Sequence, residues 1–485
     1  MPINTTHPEY DAQLPKWRRM DDVCNGEDAV KKAGEAYLPM PNKDLNTKAV
    51  KVRYENLKDR AAFIEITKDT LDKYTGQAFK DDPVLNIDDR LDYMKRDANG
   101  SGVSIYQIGQ KCFESQLQHG KCGLLTDYPS TGGEISVAEA ERQAIRPTIS
   151  FYGATTIHNW RTSVEGGQTI LSLLVLYELI DEVDPEDEFV TKQVEQWRRL
   201  GVDEGGYFVE LYRENTDAED HQDRFYLVNG RTYPTKHGGG TWDRIPFSPI
   251  GSDTNDWSQQ GIPLESLAKV NLSHYRNSAS YEDSVHYCGQ IQPWMSGIDK
   301  QRLDHYEKKD VRIGSGSLLM LGDNGKFGYA QADPNILAGE AMDKKYSIML
   351  QLGAKLSESE GQKTATQSNH EASVQNSTAS MCIANLNEAM HKAILFAYEF
   401  MDIKQKDKSG ENLFKAKQDF VAPSPDPVMI QSLSGLVQGG LAPKSLLYGY
   451  LRRYNLIDAE STDDDIDGEI DSEPPSPVAK ALENE

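Results

Sequence analysis

PNILAGEAMDKKYSIMLQLGAKL (Pro334–Leu356), SESEGQKTATQ (Ser357–Gln367) and NHEASVQNSTASMCIANLNEAMHKAILFAYEFMD (Asn369–Asp402) form the stretch that decides the fold. The first segment reads as a helix and the second as a polar loop. The third places Ala379, Ile383, Leu386, Met390, Ala393, Ala397 and Met401 in alternating steps of four and three, with no Pro or Gly inside. That is the apolar stripe of a long helix, predicted over Asn369–Asp402. At 1.5 Å per residue such a rod would be roughly 50 Å long. Two long helices separated by a Gly-containing polar loop suggest a mechanical part more than a catalytic pocket.

Upstream, a helix is predicted over Pro263–Gly289, with Pro263 in the tolerated first turn and Leu264, Ala268, Leu272, Tyr275 and Ala279 on one face. Between it and Pro334 lies a short strand-rich insert, Gln290–Asp333, with a hairpin signal at Asp323-Asn324-Gly325. Helix, β insert, helix describes a stalk with a tip. The N-terminal half begins with helices, around Trp17, over Tyr54–Phe79 and over Ser104–His119. It changes at Arg146–Arg231 to β-branched and aromatic runs separated by Gly, Pro and Asp, the pattern of one antiparallel sheet. Leu413–Val421 alternates like an edge strand, PSPDP (Pro423–Pro427) is a linker, and Val428–Ile457 reads as two or three short helices. The fold class expected is α+β.

The chain has 485 residues and a net charge of -24. Eleven Asp or Glu against one Lys in Asp458–Glu485 predict a solvated, disordered acidic end. So acidic a chain repels a phosphate backbone, which disfavours tight DNA binding. No apolar run is long enough to span a bilayer, and no membrane contact is expected. The N-terminus has no apolar signal core, and five scattered Cys suit a reducing, cytosolic setting.

Chemical motifs are sparse. His237-Gly238-Gly239-Gly240 matches the oxyanion loop of lipases and esterases, but no G-x-S-x-G accompanies it, so a hydrolase is only the alternative reading. Cys112, His119 and Cys122 lack a standard zinc spacing and a fourth ligand. No catalytic residue, cofactor or metal is expected, and the chain is read as not an enzyme. Lys308, Lys309 and Arg312 form a basic cluster in an insert with six acidic and six basic residues, a neutral tip on an acidic protein. Lys363, among Glu358, Glu360, Gly361, Gln362 and Thr364, would touch phosphates weakly if the loop faced DNA.

The order of these parts resembles the tailed-bacteriophage portal proteins. HPEYDAQLPKWRRMDDVCNGEDAVKKAGEAYLP (His7–Pro39) looks like the N-terminal signature of one portal subfamily. PLESLAKVNLSHYRNSASYEDSVHYCGQIQPWMSG (Pro263–Gly297) is similar to its first stem helix. LGAKLSESEGQKTATQSNHEASVQNSTASMCIANLNEAM (Leu352–Met390) resembles its stem, tunnel loop and long helix. QSLSGLVQGGLAPKSLLYGYLRRYNLID (Gln431–Asp458) is similar to its C-terminal helical piece. Lys363 departs from the pattern, since an acidic residue is expected there.

The resemblance implies a portal fold divided as follows. Residues 1–262 would be the wing, 263–289 and 334–356 the stem helices, and 290–333 the clip. Residues 357–368 would be the tunnel loop, 369–424 a long helix with a wing strand, 425–457 the crown and 458–485 the acidic tail. It also implies a homo-oligomeric ring, usually of about twelve subunits, at the portal vertex of a virion assembled in the host cytoplasm. Double-stranded DNA would pass through it in packaging and ejection without sequence specificity. Its partners would be the terminase large subunit, then a head–tail adaptor, with the major capsid and scaffolding proteins. Glu358, Glu360, Gly361, Gln362, Lys363 and Thr364 would face DNA, and Lys308, Lys309 and Arg312 would face terminase and adaptor. Another head–tail connector ring is the nearer alternative.

Overall fold

The computed structural model describes residues 2–41, 47–129, 145–184, 187–215, 224–237, 239–300, 304, 324–331, 336–356, 377–404, 412–418, 427–453, 456–457 and 462–472. They divide into two units, one ending at residue 418 and one beginning at residue 427. The architecture mixes helix and sheet, and every described strand pair is antiparallel.

In the first unit the chain opens with α1 (Pro8–Cys24), α2 (Glu27–Ala33), α3 (Lys48–Arg60), α4 (Ile66–Ala78) and α5 (Ile105–His119). Helix α5 starts where its chemistry dictates. Ser104 accepts from the Gln107 backbone N–H while the Gln107 side chain accepts from the Ser104 N–H, and Gly120 ends the helix at φ 75°. The single helix expected over Tyr54–Phe79 is instead two, broken between Arg60 and Ile66. Ala62 N–H donates to Ser278 Oγ, whose hydroxyl donates back to Ala62 O, and Phe63 N–H donates to Glu27 Oε1. These tertiary bonds replace helical ones and turn Phe63 into the core against Tyr275.

The sheet expected over Arg146–Arg231 is two sheets. Strand β2 (Lys121–Asp127) is flanked by β3 (Thr148–Gly153) and β9 (Phe247–Gly251). Gly123 is required there, because the Phe247 ring lies 2.1 Å from where a Cβ would stand. The second sheet is a meander of β4 (Ile157–Glu165), β5 (Gln168–Asp184), β6 (Asp187–Asp203), β7 (Gly206–Glu214) and β8 (Phe225–Leu227). Arg198 on β6 joins the two sheets, donating to Glu178 on β5 (2.7 Å) and to Asp127 on β2 (3.1 Å). Strand β3 goes with β2 because Phe151 and Ser150 register against Leu124 and Leu125, which are buried.

Helix α8 (Thr378–Phe400) is the axis of both hydrophobic clusters. It buries Ala379, Ile383, Leu386, Met390, Ala393 and Ala397, the stripe read from the sequence. It is shorter than the predicted rod: Ser377 is its N-cap, with Oγ accepting from Ser380 N–H, and residues 369–376 lie outside the described ones. Twenty-three residues give about 35 Å. Of the edge strand expected over Leu413–Val421, residues 419–421 lie outside the described ones; among the rest only β12 (Phe414–Lys415) forms, paired with β1 (Val84–Leu85). Beside it, Leu413 and Ala416 donate their N–H groups to His391 and Asn387 of α8 and not to a strand.

The second unit contains α9 (Pro427–Gln438), α10 (Lys444–Arg453) and α11 (Asp463–Ser472). The last differs from the disordered acidic end expected over Asp458–Glu485, of which residues 458–461 and 473–485 lie outside the described ones. Thr462 and Asp465 cap the start of α11 reciprocally, three Asp sit in its first turn, and Lys444 and Arg452 pair with Asp467 and Asp463. Among the described residues, no helix is long and apolar enough to cross a membrane.

Candidate functional site: a projecting helical hairpin

Helix α6 (Glu265–Cys288) and helix α7 (Ile336–Lys355) pack together, with β10 (Gln292–Ser296) and β11 (Lys326–Ala330) paired between them in sequence. The hairpin is rooted by polar bonds as well as apolar contact. Asn271 Oδ1 accepts from both the N–H and the hydroxyl of Thr67, and its amide donates to Ile64 O (2.8 Å). Arg276 donates to Tyr37 O, Arg60 pairs with Asp283, and Arg19 pairs with Glu265. On α7, Gly353 O accepts from the Tyr74 hydroxyl (2.9 Å). Within the pair, Lys345 Nζ donates to Ser273 O and Gly339 leaves room for the Tyr281 ring. Burial, then the nearby Lys345, hold His274 below the usual imidazole range.

Burial stops partway along. Every buried residue of α6 lies before Ser280, and α7 buries only Met349 and Gly353. Tyr281, Val285 and Tyr287 on α6 are exposed, as are Tyr346 and Leu350 beside the root of α7 and, at its far end, Ile336 at 65% and Leu337 at 70%. At the tip, Trp294 covers Gly328 yet is itself exposed, with Ile291 and Tyr329. Apolar exposure on this scale, on helices held rigidly at one end, marks an interaction surface.

None of the site residues assigned from the sequence can be set on this frame. Lys308, Lys309 and Arg312, and Glu358, Glu360, Gly361, Gln362, Lys363 and Thr364, all lie outside the described residues. The weaker motifs do have places. His119 Nε2 sits 2.7 Å from Asp21 Oδ1, while Cys112 and Cys122 are buried thiols, the latter donating to Cys112 O. Among the described residues, no three His, Cys, Asp or Glu converge as metal ligands. The loop at His237 is pinned to the end of α8: His237 N–H donates to Phe400 O and Gly239 N–H to Lys236 O. Lys236 and Arg244 both pair with Glu399. Among the described residues of this loop, the N–H groups of His237 and Gly239 are thus taken by backbone carbonyls.

The sequence reading missed a groove of about 940 Å³ lined by Trp160, Arg161, Arg244, Phe247, Trp257 and Lys392. Trp257 stacks between Trp160 and Phe247. Behind it lies Lys121, buried, with Nζ 4.0 Å from the Trp160 ring centre and 5.1 Å from that of Trp257; burial draws its pKa down to about 8. These residues come from five separate parts of the chain, so no local spacing announces them.

A family model described as "Domain of unknown function (DUF4055)" matches residues 263–401, from the start of α6 to the end of α8. No curated protein matches. Among solved structures, the chain is similar to one from the virion of a native gene transfer agent particle, at 10% identity and TM-score 0.37, covering 80% of this chain and 88% of that one. It is also similar to one from the neck of an empty gene transfer agent particle computed with C6 symmetry, at 12% identity and TM-score 0.39, covering 81% and 92%.

Proposed function

We propose that the chain is the portal subunit of a tailed-phage-type particle, one of a ring of about twelve that surrounds a channel for double-stranded DNA. The observation that carries this reading is the helical hairpin α6–α7. It is rooted in a mixed helix-and-sheet body, has a β pair in its connection, and leaves a row of apolar residues uncovered. Side-by-side copies in a ring would bury those residues. Obligate interfaces of this kind run to roughly 2,000 Å² or more. Among the described residues, the hairpin helices α6 and α7 would be the stem, the β10–β11 pair part of the clip, α8 the long helix, and α9 and α10 the crown.

Charge supports the same reading. Copies of a chain of net charge -24 would give a wall from which DNA slides, since tight phosphate binding needs many Lys and Arg. Such a conduit needs no catalytic group of its own, and the work of translocation would fall to the terminase. The neutral insert with Lys308, Lys309 and Arg312 would dock that motor and later the head–tail adaptor without repelling either.

The test is deletion of Glu360–Thr364. Particles built with the shortened subunit should assemble rings but package or retain less DNA, by tenfold or more. Full packaging would remove the tunnel loop from the account.

A further inference from the structure

Lys121 opens β2 with a side chain that is almost wholly buried, at 6% exposure. Its ammonium lies over Trp160, 4.0 Å from the ring centre, and among the described residues it has neither a hydrogen bond nor an ion pair. Attraction to an indole face does not satisfy N–H donors, and an ammonium withdrawn from water needs acceptors. Two acceptors stand nearby in the same condition. Gln13, 5% exposed, has a buried Oε1 with no partner, and the buried Oε2 of Glu9 has none either. Glu9 and Gln13 are four residues apart on α1 and so share one face of it.

Lys121, Glu9 and Gln13 line, with Trp17, His119 and Gln260 among others, a void of about 10 Å³, about the least that holds one water molecule. The neighbouring polar groups are already engaged. Trp17 donates its indole N–H to His119 O, and His119 Nε2 contacts Asp21. The Gln260 amide donates to Thr254 and Ser258, while its Oε1 accepts from the Asp253 and Thr254 N–H groups. What is left is one cation with protons to give and two acceptors. Burial draws the Lys121 pKa down to about 8, against the pull of Glu9 and Asp256, so the amine is charged and donating at neutral pH. A water molecule accepts one hydrogen bond from the ammonium and donates one to each acceptor, three in all, the usual number for a buried water. A metal ion would suit the acceptors but be repelled by Lys121, and an anion would be repelled by Glu9.

We propose that a single bound water in this void bridges Lys121 Nζ on β2 to Glu9 Oε2 and Gln13 Oε1 on α1, and so ties the N-terminal helix to the sheet. The site belongs to the single chain and stands whether or not copies form a ring.

The test is a structure of the full-length protein at a resolution that shows buried waters. One density peak is expected within about 2.7–3.2 Å of all three atoms. No peak there in a map that shows other buried waters, a direct contact between Lys121 and Glu9, or a peak with the short multiple contacts of a metal ion would each overturn the proposal. The second measure is a double-mutant cycle on urea unfolding at neutral pH, with Gln13→Leu and Lys121→Met. Gln13→Leu should raise the unfolding constant about tenfold in the native chain. Beside Lys121→Met, where the water has lost its donor, it should raise it less than about twofold. Equal effects in the two backgrounds would mean that Gln13 and Lys121 are not coupled, and would contradict the bridge.

Discussion

Asn271 holds the helical hairpin to the body through three hydrogen bonds, two from Thr67 and one to Ile64 O, in a site with almost no access to water. Asn271→Leu keeps the volume but strands the Thr67 N–H, its hydroxyl and the Ile64 carbonyl. Each buried group left without a partner costs about 1–3 kcal/mol, so a loss of about 3 kcal/mol is expected. Urea unfolding of the variant checks this, and a change under about 0.5 kcal/mol would show that water repairs the site. None of these bonds is legible in the sequence, since Asn271 lies some 200 positions from Thr67 and Asn is an ordinary residue in a polar helix face. The same holds for the groove, where Trp160, Trp257 and Lys392 meet only because two sheets and α8 bring them together.

Helix α6 and helix α7 are the elements on which the proposed function turns. Aspartate at both Ile336 and Leu337 should leave the circular dichroism of the subunit unchanged, because neither side chain is packed in the body, yet should shift the protein from ring to monomer. Rings in normal yield from that double variant would mean the exposed face is not an interface. These elements were readable in advance for physical reasons. The stripe from Leu264 to Ala279 has the helical period. The readings that failed did so where tertiary partners outbid local pattern. Ser278 and Glu27 break Tyr54–Phe79 into α3 and α4, and Asn387 and His391 end β12 after two residues. Capping by Thr462 and ion pairs to α10 make a helix of an acidic stretch that composition alone reads as disordered.

At the scale of the whole molecule, two features converge on assembly: an apolar hairpin face and a charge of -24. The first needs a partner surface, and the second favours a lining over a grip on DNA. On the proposed reading, further copies of the chain in a closed ring would meet that need. The most direct measurement is native mass spectrometry of the purified full-length protein, with negative-stain microscopy of the same sample. The account predicts closed rings with a mass near twelve times 54.3 kDa and a central channel. A strict monomer or dimer, at concentrations where obligate rings persist and with scaffolding protein supplied, would contradict it.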